Sequence, residues 1–537
     1  MKKLFTISLV ILLAICSYAQ EPGELNPSFG TEGSFVFDPS ISHDKMEKIL
    51  IQDDGKIITV GRARVDGSNY SIYVSRHNSD GTLDTTYGEN GIAYFKANPT
   101  IYMNSAFDAA FDENGQLFVT GYTFDRINNT AFVLCLDENG IENTDFGENG
   151  FAISAYGNGV VYEAIAIDAN GRPVVVGYLN DNILVRRYNI KGNIDKSFGE
   201  DGTVIIKLDP SPYAWSYAYD IEILENGKML LTGHKVSESG IYVSYLLRLR
   251  SNGALDETFA DKGVLEIHAG EYAEYATSIS VRPDGKYLVG GHADLFTTEP
   301  LPRSESFLVC VNANGSIDKS FGTDGFVRLE PFEGDGCINE TYSILAAADG
   351  QIFGTTYSYN YTSGASRAYV YNLDANGQFK EDFAGSGIIA LPRLITNEMN
   401  VRSLALELQD NKHLLVGGYV ADDNPQDQKL FLSCINVDIK EENPENPEDG
   451  IEELTSSLLL YPNPVNDRLY IETLTQTLTI EIYDVYGRRQ ELSAVSCQLS
   501  AISYQLSAIE VSNLKSVVYF VKVVTSEGEV VKRIING

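Results

Sequence analysis

Short apolar runs punctuated by turn residues fill the chain from about residue 25 to 438. The first unit shows four: 33–38, 46–52, 56–61 and 70–77. Between the second and third stands Asp54-Gly55. Glycine supplies the positive φ that a two-residue hairpin needs, so these runs predict a tight β-hairpin. Later units repeat the signal at Asn114-Gly115, Asn170-Gly171, Asn226-Gly227, Asp284-Gly285 and Asp349-Gly350, and the last has Asp410-Asn411. No run carries a helical period. The second run alternates bulk with Ala or Ser, as in Ala164-Ile165-Ala166-Ile167 and Ser278-Ile279-Ser280-Val281. Neither face is charged, so the sheet is covered on both sides and neighbouring sheets interlock bulk against gap.

A second pattern sets the period. Leu/Ile-Asp-x-x-Phe-Gly is read at Leu83–Gly88, Ile194–Gly199 and Ile317–Gly322, with looser copies around Phe146, Phe259 and Phe383. A first copy, Leu25-Asn26-Pro27-Ser28-Phe29-Gly30, opens the array. The aromatic falls at 29, 87, 146, 198, 259, 321 and 383, intervals of 58, 59, 52, 61, 62 and 62 residues. A period of this length means a solenoid or a propeller. A glycine follows each third run, at 61, 121, 177, 233, 290, 354 and 417, which makes seven units of four strands. The seventh stops at Asp438 without a Phe-Gly segment, and the surplus copy at residues 25–30 supplies one. A closed ring follows: an all-β, seven-bladed β-propeller of four-stranded blades, with six or eight blades as the rival counts.

Asp54-Gly55-Lys56, Gly61 and Leu83–Gly88, with their counterparts in each unit, resemble the delta-60 repeat, a bacterial β-propeller family. The resemblance covers residues 25–438, implies the fold and carries no activity. Three positions depart from it. Lys380 replaces the acid before Phe383, and Ala260 and Ala384 replace the glycine, so looser turns are expected there.

The two ends read differently. Lys2 and Lys3, the apolar stretch to Cys16, and Ser17-Tyr18-Ala19 form a signal peptide at 1–19, too short for a membrane span. A lipoprotein reading through Cys16 is weaker, because Ile15 is bulky where a small residue is expected. The propeller then occupies 20–438. Residues 439–453 are an acidic, proline-bearing linker with too little apolar area to fold. From 454 to 537, alternating runs predict a small C-terminal β-sandwich. Tyr461-Pro462-Asn463-Pro464, Tyr483–Arg488 with Gly487, Val511–Leu514 and Lys532-Arg533-Ile534-Ile535 resemble the C-terminal sorting domain of type IX secretion in Bacteroidetes. That resemblance implies Sec export, handling by the type IX machinery, and a secreted or outer-membrane-surface protein. No later run predicts a transmembrane segment.

Composition narrows the function. Net charge is -34. Such a surface repels phosphate backbones, so nucleic acid is not an expected partner. Cys135, Cys310 and Cys434 occupy one place in three repeats and should not pair; one bridge between Cys337 and Cys497 is conceivable. The six histidines show no metal spacing, and no nucleophile elbow or phosphate loop is present. No catalytic set, metal or cofactor is therefore expected. Asp84, Asp195, Asp256 and Asp318 invite a calcium reading, but Asn26 and Asn143 share their place, which favours Asx turns.

The hairpin end of each unit is nearly constant, while the connections at the opposite end vary, and variable loops are where a propeller carries binding. Tyr213, Trp215 and Tyr217 in one such loop, and Tyr357, Tyr359 and Tyr361 in another, are the candidate ligand-binding residues. The competing reading is that these rings pack strand ends. The favoured function is a secreted or surface binding scaffold for a glycan or protein. The alternative is an extracellular hydrolase or lyase acting on polysaccharide.

Overall fold

The computed structural model describes residues 21–440 except 41, 67–68, 155–158, 212, 238–239, 271, 296–300, 335, 396–399 and 423–426, and the strands between 458 and 535. The chain divides into two compact units, one ending at Glu441 and one starting at Glu442.

In the first unit, seven antiparallel sheets of four strands form seven blades. The innermost strands are Lys45–Ile51, Met103–Phe111, Val160–Ile167, Trp215–Ile223, Ala273–Val281, Cys337–Ala346 and Asn400–Asp410. Each packs on the innermost strand of its neighbours, so the seven surround an axis. The interlocking predicted from bulk and gap is visible between blades three and four, where Ile221 packs in one cluster with Ala164 and Ala218.

Repeat and blade are out of phase. The run at 33–38, read from sequence as the first strand of unit one, is instead the outermost strand of blade seven. Ser34–Phe37 pairs antiparallel with Gln428–Asn436, in the register Ser34↔Ser433 to Phe37↔Leu430. The N-terminus closes the ring with a whole strand as well as the Phe-Gly segment, whose Leu25 bridges Ile435 as Leu83 bridges His77.

The Phe-Gly segment is the staple between blades. Phe29, Tyr87, Phe146, Phe198, Phe259, Phe321 and Phe383 are all buried. The next unit's turn glycine packs against the aromatic, and a Cβ at Gly81 would lie 2.5 Å from the Phe29 ring. The residue after the aromatic donates its N–H across the boundary, from Gly30 to Asp80 O (2.7 Å), Gly199 to Asn252 O (2.9 Å) and Gly322 to Asn376 O (2.8 Å). Ala384 makes the last such bond, to Pro22 O (2.9 Å), and so joins the two ends of the ring. Ala260 and Ala384 hold the glycine conformation, with φ of 44° and 55°. Their turns are not looser: the bond of Ala260 to Asn314 O is 2.9 Å, and Phe383 N still reaches Lys380 O at 3.0 Å.

The recurring acid makes the Asx turn. Asp84 Oδ1 accepts from Thr86 N (3.1 Å) and Thr86 Oγ1 (2.6 Å), and Asp195, Asp256, Asp318, Asn26 and Asn143 repeat the pattern. The other oxygen of Asp84, Asp195 and Asp256 binds the arginine ending the third strand, and that of Asp318 takes Lys286 instead. Arg187 sits 2.8 Å from Asp195, stacks 4.7 Å over Phe198 and donates to Ser251 O of the next unit at 3.0 Å. Cys135, Cys310, Cys434 and Cys337 are buried free thiols; Cys16 and Cys497 lie outside the described residues.

The second unit contains two antiparallel sheets. One joins Leu458–Tyr461, Arg468–Thr473, Gln505–Glu510 and Ala494–Val495; the other joins Thr477–Asp484, Val518–Thr525 and Gly528–Ile535. Tyr461 ends the first strand, and Lys532 and Arg533 lie in the last, paired with Val521 and Phe520. Pro462, Asn463, Pro464 and Gly487 lie outside the described residues, as do the signal peptide at 1–19 and all but Ile439 and Lys440 of the linker.

Candidate functional site in the central channel

Every innermost strand carries a β-bulge at the same height. The register skips Glu47, Phe107, Glu163, Tyr219, Thr277, Tyr342 and Leu404. An extra residue in one strand re-aims its side chains and increases local twist. Here it turns the bulged residue and its follower into the axis, making two rings. The second ring is Lys48, Asp108, Ala164, Asp220, Ser278, Ser343 and Ala405, and both rings line a cavity of about 440 Å³.

Several second-ring residues latch neighbouring blades. Lys48 Nζ lies 3.0 Å from Asp108 Oδ1. Asp108 Oδ2 accepts from Ile165 N (2.9 Å), Asp220 Oδ2 from Ile279 N (2.7 Å), and Ser278 Oγ from Ile344 N (3.3 Å). Toward the hairpin end the channel is acidic. Burial pushes the Asp220 carboxyl up to about 7 against the pull of Lys48, and does the same for Glu222 and Glu407. Nearer the mouth, burial and then repulsion from Glu47 push Glu163 up to about 8. Lys48 is held strongly protonated, first by Asp108. It is surrounded by protein yet keeps 37% of its side chain accessible, because it faces the open channel.

Toward the variable end the wall becomes aromatic. Tyr178 and Tyr217 approach at 4.4 Å, Tyr217 and His234 at 5.6 Å, His234 and Tyr275 at 5.1 Å, and Tyr275 and His292 at 4.9 Å. Beyond His292, Tyr342 Oη donates to Glu340 Oε2 at 2.5 Å, and Arg402 lies 4.3 Å over the Tyr357 ring. Burial holds His234 down to about 4 and lowers His292, so both are neutral near pH 7.

Of the six candidate residues from sequence, four lie in strands rather than loops, while Tyr213 and Tyr361 lie in turns. Trp215 and Tyr217 are in the innermost strand of blade four, and Tyr357 and Tyr359 in the second strand of blade six. Tyr217 belongs to the aromatic arc, and Trp215 meets Tyr242 edge-on at 6.3 Å. Tyr357 is buried under Arg402, Tyr359 stacks on it at 6.5 Å, and Tyr361 meets Tyr359 at 4.8 Å. Tyr213 stands apart, 71% exposed. The residues between the two groups, Tyr275, His292 and Tyr342, were not legible as a site, nor were Lys48, Glu163 and Asp220 below them. The usable signal was the glycine of the second strand. A Cβ at Gly61, Gly121, Gly177, Gly233, Gly291 or Gly418 would lie within about 2 Å of an innermost-strand carbonyl beside the bulge.

The fold and channel define a closed seven-bladed β-propeller with an acidic, aromatic-mouthed axis, followed by a separate β unit. Residues 52–87, 224–259 and 282–321 match the family described as a domain of unknown function (DUF5122) beta-propeller. Residues 459–536 match the secretion system C-terminal sorting domain. These propeller matches agree with the delta-60 reading, and the sorting-domain match supports secretion by the type IX route, to the cell surface or outside. No helix among the described residues is long and apolar enough to cross a membrane.

Similar solved structures include a protein of unknown function from Dyadobacter fermentans, at 11% identity and TM-score 0.41, covering 77% of this chain and 100% of that one. The β-propeller domain of the trilobed protease from Pyrococcus furiosus aligns at 8% identity and TM-score 0.36, over 78% and 99%. An α-L-arabinanase from Penicillium chrysogenum, solved with arabinobiose, aligns at 10% and 0.36, over 62% and 93%. No curated protein sequence matches this chain.

Proposed function

We propose that this protein is an exported binding scaffold whose propeller, residues 20–438, takes an extracellular glycan or protein ligand at the variable-end mouth of the channel. The observation that carries this reading is the aromatic arc from Tyr178 through Tyr217, His234 and Tyr275 to His292, which opens onto a cavity of about 440 Å³. Neutral rings on rigid strands offer apolar, stackable area at little ordering cost. Trp215, Tyr217, Tyr359 and Tyr361 extend that surface outward, Tyr357 supports it beneath Arg402, and Tyr213 is a rim residue. In this reading the signal peptide leaves at Ala19 by Sec export, 439–453 is a tether, and 454–537, its two sheets stacked as a sandwich, is the sorting unit. The motif Tyr461-Pro462-Asn463-Pro464, Gly487 and Lys532-Arg533 is what the machinery reads. A glycan and peptide array with purified protein tests the binding. Trp215→Ala should weaken the ligand found without lowering thermal stability; loss of folding instead would return Trp215 to a packing role. Deleting 454–537 should strand the propeller in the periplasm, and unchanged export would refute the sorting role.

One observation favours a polysaccharide hydrolase or lyase as a second reading. Glu163, raised to about 8, would hold a proton at neutral pH as a general acid does. That reading predicts product release abolished by Glu163→Gln, and ligand recovered intact after prolonged incubation excludes it.

A further inference from the structure

The cavity lining holds two lysines and four carboxylates. Lys45 is taken by Glu47 at 2.8 Å and Lys48 by Asp108 at 3.0 Å. Asp220 accepts the Ile279 N–H. That leaves Glu163, whose carboxylate has no hydrogen bond or ion pair among the described residues. Leu404 and Thr277 hold the equivalent bulge position in other blades, so the ring does not need an acid there. Around Glu163 the wall is aromatic, with Tyr219, Tyr275, Tyr342 and Phe107 facing the same cavity. Carboxylate and ring faces share one preference: both attract an organic cation. At neutral pH Glu163 holds its proton, which an anionic or neutral ligand would leave in place; a cation is the ligand that draws out its carboxylate.

Building on the reading of the channel mouth as a binding site, we infer that the channel takes an alkylammonium group, the chemistry shared by a polyamine and a lysine side chain. Glu163 is its counter-ion, and Tyr219, Tyr275 and Tyr342 are its walls. The raised proton affinity of Glu163 adds a signature, since seating an ammonium beside it displaces its proton to solvent.

Isothermal titration of the full mature chain with spermidine and, separately, with N-acetyl-lysine methylamide tests this, in two buffers of different ionisation enthalpy at pH 7. Maltotriose serves as the neutral control. At least one amine should bind with net proton release, and which one binds separates the polyamine source from the lysine source. Glu163→Gln should weaken the amine about tenfold or more and abolish the proton release, without lowering the melting temperature. Tyr219→Leu, which spares the carboxylate, should weaken it severalfold and keeps the test open if Glu163→Gln misfolds. The inference falls if neither amine binds, if maltotriose binds as well as the amines, or if Glu163→Gln binds unchanged. An array ligand that is neutral and lost in Trp215→Ala would sink the inference while leaving the binding scaffold standing.

Discussion

The channel carboxylates, together with Asp44 just before the innermost strand of blade one, which burial also raises to about 7, make stability fall as pH climbs through neutrality. Asp220, Glu222 and Glu407 are raised to about 7 and Glu163 to about 8, from 3.8 for Asp and 4.5 for Glu. An acid with a raised folded pKa binds more protons folded than unfolded. Its stabilising contribution is complete below the unfolded value and is lost as pH climbs through the folded one. His77 and His234, lowered to about 4 by burial, and His43 and His292, also lowered by burial, have the opposite sign, and each regains up to roughly 0.4 kcal/mol between pH 6.5 and 8. Asp84 and Asp318 are lowered, the first by Thr86 and the second to about 2 by Lys286, and their contribution is lost only on acidification. The interval that reads the raised acids is pH 6.5 to 8. Integrated there, each group at about 7, Asp44 included, loses roughly 0.8 kcal/mol and Glu163 roughly 1.6, and with the histidine gain deducted the net fall is about 3 kcal/mol as an upper bound. Channel water and the shared influence of Lys48 halve it, to about 1.5 kcal/mol. Unfolding a unit of this length carries an entropy of roughly 1 kcal/mol per degree, so the melting temperature should drop about 1–3 °C. Scanning fluorimetry at constant ionic strength reads this directly. Glu163→Gln should remove the largest share of the slope, and adding Asp220→Asn most of a further group's share. A flat or rising profile in the native protein, or an undiminished slope in the double variant, would refute the assignment of buried, proton-holding acids to the channel.

Three further outcomes follow from the ring. Phe198→Ala removes a buried ring clamped by Arg187, and should cost about 3–5 kcal/mol in urea titration; Phe29→Ala should cost a similar amount if the N-terminal copy staples like the others, and a negligible loss would exclude that. Ala384→Gly relieves a left-handed alanine at φ 55° and should stabilise by about 0.5–1 kcal/mol by the same titration. Removing residues 21–37 uncovers the edge of the Gln428–Asn436 strand, and light scattering after size exclusion should show self-association; a monodisperse monomer melting as before would show that Ser34–Phe37 does not close the ring.

The fold was legible because its signals are local. Asp-Gly and Asn-Gly pairs fix hairpins wherever they occur, and the Phe-Gly segment carries its own Asx turn, as Asp84 and Thr86 show. Even the surplus copy at residues 25–30 pointed to closure. What the repeat boundary hid was phase. A covalent unit starts at the outer strand of the preceding blade, and chain order alone does not say to which sheet that strand belongs.

The channel was less legible because a bulge defeats the period-two reading on which strand faces rest. Strict alternation sends Glu47 and Lys48 to opposite faces, and likewise Tyr219 and Asp220; the bulge turns both members of each pair to the axis. A second-strand glycine marks where this happens in six blades, in blades five and seven at Gly291 and Gly418 and not at the Gly290 and Gly417 of the repeat series, yet it permits the bulge without causing it. In blade six the equivalent position is Thr356, opposite Thr341, with their hydroxyls bonded at 2.9 Å, and the register still skips Tyr342. The cause is then common to all seven blades: innermost strands crowded around one axis must twist more sharply than a regular ladder allows, and one extra residue per strand supplies the twist. Because closure sets the bulge height, the residues at that height are free of any packing duty common to the ring. Leucine, threonine, tyrosine and glutamate all occupy it, so the unpaired Glu163 is a property of this channel and not of the scaffold.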